Sequence, residues 1–178
     1  DLWMGTLSKA LGSLGGYVAA ERSVIEYLKY TSPGFVFSTG IAPSNTAAAL
    51  AAIELLEAQP ERVEILRARS RLFLDLARQA GLNTGLSDST PIVPVILGSS
   101  PDALRLSQAM LERGVNVQPI LHPAVEESAA RLRFFLTSNH TEEQIRYTVA
   151  VLAEEAERLD PRHVSNSRAQ VACGGVSG

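Results

Sequence analysis

One lysine lies in a segment rich in glycine and hydroxyl side chains, a setting that favours chemistry over ordinary surface charge. The segment 5–16 reads GTLSKALGSLGG and places Lys9 beside Thr6 and Ser8. The glycines carry no Cβ, so the backbone can approach a bulky flat or phosphorylated group. The apolar neighbours would desolvate the ammonium, which lowers a lysine pKa. Lys9 is therefore a candidate Schiff-base nucleophile.

This segment also resembles a known lysine motif. Residues 6–15, TLSKALGSLG, are similar to the motif of class II pyridoxal-phosphate aminotransferases and, more narrowly, of the α-oxoamine synthases. Without that resemblance a solvated lysine in a glycine-rich turn is the commoner interpretation, because most lysines are exposed. The resemblance implies pyridoxal 5'-phosphate (PLP) as cofactor, Lys9 as the residue that binds it covalently and then acts as general acid and base, and Thr6 as a phosphate ligand.

A second pair of hydroxyls, Ser38 and Thr39, follows an apolar segment. The pair resembles the family's Ser/Thr pair, which reaches across a dimer interface to the cofactor phosphate of the other subunit. Hydroxyls suit anions, as helix N-termini do. The alternative is a pair of turn residues that precede a helix, where Ser and Thr are common in any protein.

Two arginines, Arg131 and Arg133, lie two residues apart in a predicted strand, so both point to the same face. A guanidinium binds a carboxylate through two parallel hydrogen bonds. The family's small-domain strand ends in a similar Arg-x-Arg, which implies that Arg133 binds the carboxylate of the amino-acid substrate. Exposed strand charges are the alternative from composition alone.

The histidines carry weaker predictions. His140 is interpreted as a local hydrogen-bonding group before a helix, with a substrate-loop role as the alternative, and His122 stays unassigned. Three scattered histidines and the single cysteine, Cys173, do not match metal-ligand spacing, so we expect no metal site.

The alternation of helices and short strands indicates an α/β layout, and the resemblance implies the PLP-dependent transferase fold-type I. We expect residues 1–58 to form the end of the large domain, with the lysine loop and an interface helix. Residues 59–160 would form a small C-terminal α+β domain, and residues 161–178 a disordered tail. In the family, the histidine and aspartate that contact the cofactor ring precede the lysine. The chain is therefore expected to be the C-terminal part of a longer enzyme.

Particular elements are also predicted. Helices are expected over 22–30, 44–58, 61–79, 101–113 and from 141 to about 159, and strands over 16–20, 91–97, 115–118 and 131–137. The segment 35–39 is expected to be extended and the alanine-rich helix 44–58 buried. Pro94 lacks a backbone donor, so its strand should lie at a sheet edge. The apolar positions of the helix over 101–113 are expected to be Leu104, Leu106, Met110 and Leu111, and residues 141–144, TEEQ, are expected to form a capping box.

Composition excludes several functional classes. A net charge of −3 without a basic cluster argues against nucleic acid. No apolar run approaches the roughly 20 residues that span a bilayer, and a single cysteine excludes a disulfide framework. The cytoplasm is therefore the expected compartment.

These residues predict part of a synthase that condenses an amino acid with an acyl thioester, from CoA or a carrier protein, with decarboxylation. The expected assembly is a homodimer that shares its active sites. Two alternatives stay open: an aminotransferase of class I/II, and a non-catalytic dimerisation or docking fragment. As a fragment, the chain alone is expected to be inactive.

Overall fold

The computed structural model describes residues 1–88 and 90–165. The chain separates into two compact units, Asp1–Pro60 and a second that begins at Glu61. This break lies two residues after the boundary predicted from the sequence.

The first unit begins with an antiparallel hairpin. Strands β1 (Leu2–Thr6) and β2 (Gly16–Ala20) pair with Leu2 opposite Ala20 and Thr6 opposite Gly16. The two backbones approach closely, because a Cβ on Gly16 would lie 2.7 Å from the carbonyl oxygen of Gly5. Glycine is therefore required where the hairpin leaves its loop.

Three helices complete this unit: α1 (Arg22–Thr31), α2 (Pro33–Val36) and α3 (Pro43–Ala58). The prediction of an extended segment over 35–39 is wrong. Pro33 is suited to a first helical turn, and the N–H of Val36 donates to the carbonyl of Ser32 at 2.9 Å. The prediction of a buried α3 is also wrong for this chain, because Ala49 is its one fully buried residue.

The second unit contains the remaining elements. They are α4 (Glu61–Gln79), β3 (Ile92–Ile96), α5 (Ser100–Glu112), β4 (Gln118–Ile120), a 3₁₀ turn (Glu127–Ala129), β5 (Arg131–Phe135), α6 (Glu142–Leu159) and α7 (Arg162–Ser165). The strands form an antiparallel sheet in the order β3-β5-β4. Pro94 thus lies on an edge strand, as predicted.

One face of this sheet is buried beneath helices. Val93 and Val95 of β3 and Leu132 and Phe134 of β5 are buried and join a core built with α4, α5 and α6. The ring of Phe134 lies 4.8 Å from that of Phe73. The result is the expected α+β layout, with helices layered on one sheet face.

The end of α5 explains a further correction. Gly114, at φ +79°, ends the helix, and the N–H of Val115 donates to the carbonyl of Met110 at 2.8 Å. That bond belongs to a helix C-terminal motif, so the strand begins at Gln118 rather than at 115. Leu104 and Leu111 are half exposed, because the buried stripe of α5 is Ala103, Leu106 and Met110.

Helix α6 begins at the predicted capping box. The N–H of Gln144 donates to the Thr141 hydroxyl at 3.2 Å, and the N–H of Thr141 donates to the Gln144 side-chain oxygen at 2.9 Å.

The predicted disordered tail needs one correction, because Arg162–Ser165 form a helical turn. The rest of that prediction, 166–178, lies outside the described residues. Among the residues that are described, no helix combines the length and apolarity needed to cross a membrane. The same residues contain no group of three or more His, Cys, Asp or Glu side chains that could hold a metal ion.

Candidate active site

The loop between β1 and β2 holds Lys9 in a defined backbone geometry. The N–H of Leu7 donates to the carbonyl of Gly15, and the N–H of Ser13 donates to that of Leu7, both at 2.9 Å. Gly15 has φ +103°, a conformation that L side chains rarely adopt. Lys9 accepts from the N–H of Gly12 at 3.0 Å through its carbonyl. The loop is thus closed on itself beside the lysine.

Ser13 ties this loop to helix α3. Its hydroxyl donates to the carbonyl of Asn45 at 2.6 Å, in a partly buried setting. The sequence interpretation assigned Ser13 no role. Ser13 and Asn45 are 32 residues apart in the sequence, so no local sequence pattern predicts this bond.

Thr6 and Ser8 form a hydroxyl pair next to the lysine. Their oxygens lie 2.9 Å apart, and the N–H of Ser8 also reaches the Thr6 hydroxyl at 3.3 Å. Thr6 was the predicted phosphate ligand, and the structure adds Ser8 beside it. The sequence analysis placed both hydroxyls beside Lys9 but did not predict that they contact each other.

The expected burial of Lys9 is not seen in this chain, where the residue is exposed. The reason is the lack of a covering core: Leu14, in the same loop, is 66% exposed. Within residues 1–88 and 90–165, no ion pair or side-chain hydrogen bond engages the Lys9 amine.

The chain's other lysine, Lys29, differs from Lys9. Its amine lies 2.9 Å from the Glu26 carboxylate. The hydrogen bond that the Lys29 amine donates to this carboxylate raises the pKa of Lys29 above its ordinary value, and the charge of Glu26 adds to the effect. The Lys29 amine is therefore engaged by a carboxylate, whereas within the described residues the Lys9 amine has no such partner.

Ser38 and Thr39 are both exposed but differ in their bonds. The Ser38 hydroxyl donates to the carbonyl of Gly34 at 2.7 Å, at the end of α2. No partner engages the Thr39 hydroxyl among the residues that the structure describes. Thr39 can therefore donate to an anion without losing a bond, whereas Ser38 cannot.

In the second unit, the two arginines of β5 are used differently. Arg131 donates through Nε to the carbonyl of Ala129 at 2.7 Å and so fixes the 3₁₀ turn to the strand. Arg133 lies 4.9 Å from the ring centroid of Phe135. Its guanidinium has no hydrogen-bond or ion-pair partner in the described part of the chain, so Arg133 is the one available to a ligand.

Arg133 and His140 line the same cavity of about 400 Å³ within the second unit. His140 accepts the N–H of Thr137 through Nδ1 at 3.1 Å, which is the local role predicted for it. The backbone N–H of His122 approaches the Ser100 hydroxyl at 3.4 Å, and His122 is not among the cavity residues. The candidate residues thus form two groups: Lys9, Thr6 and Ser8 in one loop, and Arg133 with His140 around one cavity.

The family follows from a match along most of the chain. The family model described as aminotransferase class I and II matches residues 1–152. The chain belongs to the class I and II aminotransferase family. The predicted fold is also confirmed, because solved structures with the PLP-dependent aminotransferase-like fold superpose on this chain.

The relatives of this aminotransferase-family chain are synthases. It is 43% identical over 156 residues to the 8-amino-7-oxononanoate synthase of Symbiobacterium thermophilum, which covers 88% of this chain and 40% of the relative. It resembles the structure of the Francisella tularensis 8-amino-7-oxononanoate synthase, with 26% identity and a TM-score of 0.78 over 88% of this chain and 46% of that one. A structure of serine palmitoyltransferase (SPT) with its PLP internal aldimine gives 25% identity and a TM-score of 0.81 over 89% of this chain and 40% of that one.

The chain therefore spans about two fifths of the length of the curated relatives that it matches. The sequence-based resemblance to the α-oxoamine synthases is confirmed by these relatives. The roles of Lys9, Thr6, Ser38, Thr39 and Arg133 stay predictions.

Proposed function

We propose that the complete protein is a PLP-dependent α-oxoamine synthase, which joins an amino acid to an acyl thioester and releases CO₂ and the free thiol. The observation that carries this proposal is the loop between β1 and β2, in which Lys9 directly follows the Thr6–Ser8 hydroxyl pair. The relatives support it, because they are named 8-amino-7-oxononanoate synthase and SPT, which are enzymes of this kind.

The side chains of this loop fit the cofactor. PLP presents an aldehyde, which condenses with a primary amine, and a phosphate, which binds hydrogen-bond donors. Lys9 supplies the amine, and the hydroxyls of Thr6 and Ser8, 2.9 Å apart, supply the donors. These three residues would hold the group.

When bound, PLP supplies an electron sink for the pair left on the α-carbon of the amino acid. The residues of this chain supply binding and proton transfer. The amine of Lys9 takes the proton at the substrate's α-carbon and returns one to the product, as a general base and acid. The guanidinium of Arg133 binds the substrate carboxylate through its planar fork and thereby fixes the orientation of the α-carbon.

A homodimer with shared active sites is part of this proposal. Large apolar side chains of the first unit are exposed, among them Trp3 at 70%, Tyr30 at 82% and Phe37 at 87%. Large apolar side chains that are exposed in one chain support the presence of an interface in this unit. Thr39 follows this surface and would donate to the cofactor phosphate of the partner subunit, with Ser38 in a lesser role. The single cysteine of the chain is consistent with the cytoplasm as the compartment.

The test is release of labelled CO₂ from a carboxyl-labelled amino acid by the complete protein. The proposal predicts release that requires an acyl thioester and disappears in Lys9→Ala. The Lys29→Arg variant is the matched control and should retain the release, since it changes the other lysine of this chain.

The aminotransferase alternative is favoured by one observation, the breadth of the family model, which describes aminotransferases of class I and II. An aminotransferase would release a keto acid and retain the labelled carboxylate. Keto-acid formation without labelled CO₂ would replace the synthase by this alternative. Absence of both products from a protein that dimerises would favour a docking role.

A further inference from the structure

One serine both closes the loop that carries Lys9 and ties that loop to a helix. We call residues 7–15 the lysine loop. The backbone N–H of Ser13 donates to the carbonyl of Leu7 at 2.9 Å, which closes the segment around Lys9. The Ser13 hydroxyl donates to the carbonyl of Asn45, in the first turn of α3, at 2.6 Å. The first bond sets the shape of the lysine loop, and the second sets its place relative to α3.

The bond from Ser13 to Asn45 has little support from other contacts. Among the residues that the structure describes, it is the only hydrogen bond between the lysine loop and α3. One apolar contact lies nearby, since a Cβ on Gly15 would lie 3.0 Å from Cδ1 of Ile41. Ile41 precedes α3 and is 43% exposed, so this contact buries little surface. The Ser13 hydroxyl is therefore the main directional link between the lysine loop and α3.

This link lies in the better protected part of a unit that has little core. Ser13 and Asn45 are both half-buried, whereas Lys9 is exposed. Asn45 lies one helical turn before Ala49, the fully buried residue of α3. A hydrogen bond that is partly shielded from water is electrostatically stronger than an exposed one. The loss of the Ser13 hydroxyl would therefore loosen the lysine loop from α3.

The position of the Lys9 amine depends on this link. The Lys9 carbonyl accepts the N–H of Gly12 at 3.0 Å, which completes a tight turn. The Lys9 amine itself has no partner within the described residues, so its direction follows the backbone of that turn. A misplacement of about 1 Å between reacting groups can cost about a hundredfold in rate.

We propose that Ser13 is a positioning residue, whose bond to Asn45 holds the lysine loop on α3 and so orients the Lys9 amine toward the cofactor. The inference rests on the proposed function in one respect, the role of Lys9. It goes further by assigning a role to a residue that acts through the backbone of the loop. Ser13→Ala keeps the N–H that closes the loop and removes only the link to α3, so this variant separates the two bonds.

The first test measures hydrogen exchange of the Leu7 and Gly12 amides in the complete protein without PLP. Ser13→Ala should speed this exchange about fivefold, because one hydrogen bond that opposes opening of the loop is lost. Ser107→Ala is the matched control. It removes a hydroxyl that donates to the carbonyl of Val117 at 2.7 Å in the second unit, and it should leave the two amides unchanged. Unchanged exchange in Ser13→Ala would overturn the proposal.

The second test measures the dissociation constant of PLP by absorbance titration of the same proteins. Ser13→Ala should weaken PLP about fivefold, since the loop must be held in place for Lys9 to reach the cofactor. Ser13→Thr keeps the hydroxyl and should retain the affinity, and Ser107→Ala should retain it as well. An equal loss in Ser13→Ala and Ser107→Ala would show that general destabilisation is the cause and would overturn the positioning role, as would a Ser13→Ala variant with unchanged affinity.

These experiments fail independently of the proposed function. Hydrogen exchange without PLP and the affinity for PLP do not depend on which reaction follows, whereas labelled CO₂ reports the reaction. A protein that shows the predicted exchange and affinities but releases no CO₂ would keep the role of Ser13 and remove the synthase assignment. A protein that releases CO₂ and is unaffected by Ser13→Ala would keep the synthase and remove the positioning role.

Discussion

The two units of the chain differ in how much core each contains. Among the described residues, the second unit buries twenty hydrophobic side chains in one cluster, whereas the first fully buries only Ala49. The first unit is held by its hairpin, its helices and loop bonds such as that from Ser13 to Asn45. The candidate carboxylate site is thus built on a packed core, and the candidate cofactor loop on local hydrogen bonds.

The helix starts show the same difference. In the second unit, α5 and α6 begin at Ser99 and Thr141, whose side chains accept backbone N–H groups. In the first unit, α1, α2 and α3 begin without a side-chain cap bond. We infer that local structure in the second unit is specified more strongly by its own residues.

The largest expected difference in stability is between alanine substitutions of two phenylalanines, one in each unit. Phe73 is 1% exposed and packs on Phe134, whereas Phe37 is 87% exposed. Phe73→Ala should lower the free energy of unfolding by about 3–5 kcal/mol through lost burial and a cavity. In the monomeric chain, Phe37→Ala should change the free energy of unfolding by less than about 0.5 kcal/mol. Urea unfolding of the full chain followed by circular dichroism measures both, and similar losses would remove the contrast between the units.

A smaller effect is expected at the start of α6. Thr141→Ala removes the hydroxyl that accepts the N–H of Gln144, and should lower the free energy of unfolding by about 1 kcal/mol. Thr141→Ser keeps the hydroxyl and serves as the control. If the alanine and serine variants unfold at the same urea concentration, the cap does not stabilise this unit.

The smallest effect concerns an exposed contact in the second unit. The Ser100 hydroxyl and N–H both donate to Glu127, and these bonds hold the pKa of that carboxyl below its ordinary value. A carboxyl with a lowered pKa in the folded state stabilises the fold above its unfolded pKa, and the contribution is lost as pH falls through the folded pKa.

Glu127→Gln should therefore lower the urea midpoint at pH 7, and the gap to the unsubstituted chain should narrow as pH falls below the ordinary glutamate pKa. Midpoints measured between pH 7 and pH 3 test this. If the difference in urea midpoint between Glu127→Gln and the unsubstituted chain widens toward low pH, the carboxyl of Glu127 does not stabilise the fold through a lowered pKa.

Local patterns predicted most of the second unit. Helix α4 has the predicted bounds, since acidic residues begin it and Gly81, at φ +81°, follows it. The capping box and the edge position of Pro94 were also read from single motifs. The errors arose where local backbone bonds override strand propensity. The bond between Val115 and Met110 at the end of α5 delays β4, and Pro33 begins a helical turn that includes aromatic residues with strand propensity.

The candidate site was predicted less completely. The setting of Lys9 among glycines and hydroxyls indicated its chemistry, whereas the roles predicted for Thr6 and Arg133 followed from the resemblance to the family. Ser8 was noted only as a neighbour, and the bond from Ser13 to Asn45 could not be predicted, because it joins residues that are far apart in the sequence. The burial of Lys9 was wrong for this chain, because apolar neighbours in sequence did not fold over the amine.

The most direct test of the central claim compares the two lysines. The complete protein is incubated with PLP, reduced with borohydride and mapped by mass spectrometry of its peptides. We predict that the phosphopyridoxyl group is on Lys9, whose amine is unpaired among the described residues, and not on Lys29, whose amine is paired with Glu26. A Lys9→Arg variant should lose the modification, and labelling of Lys29 with Lys9 unmodified would contradict the account.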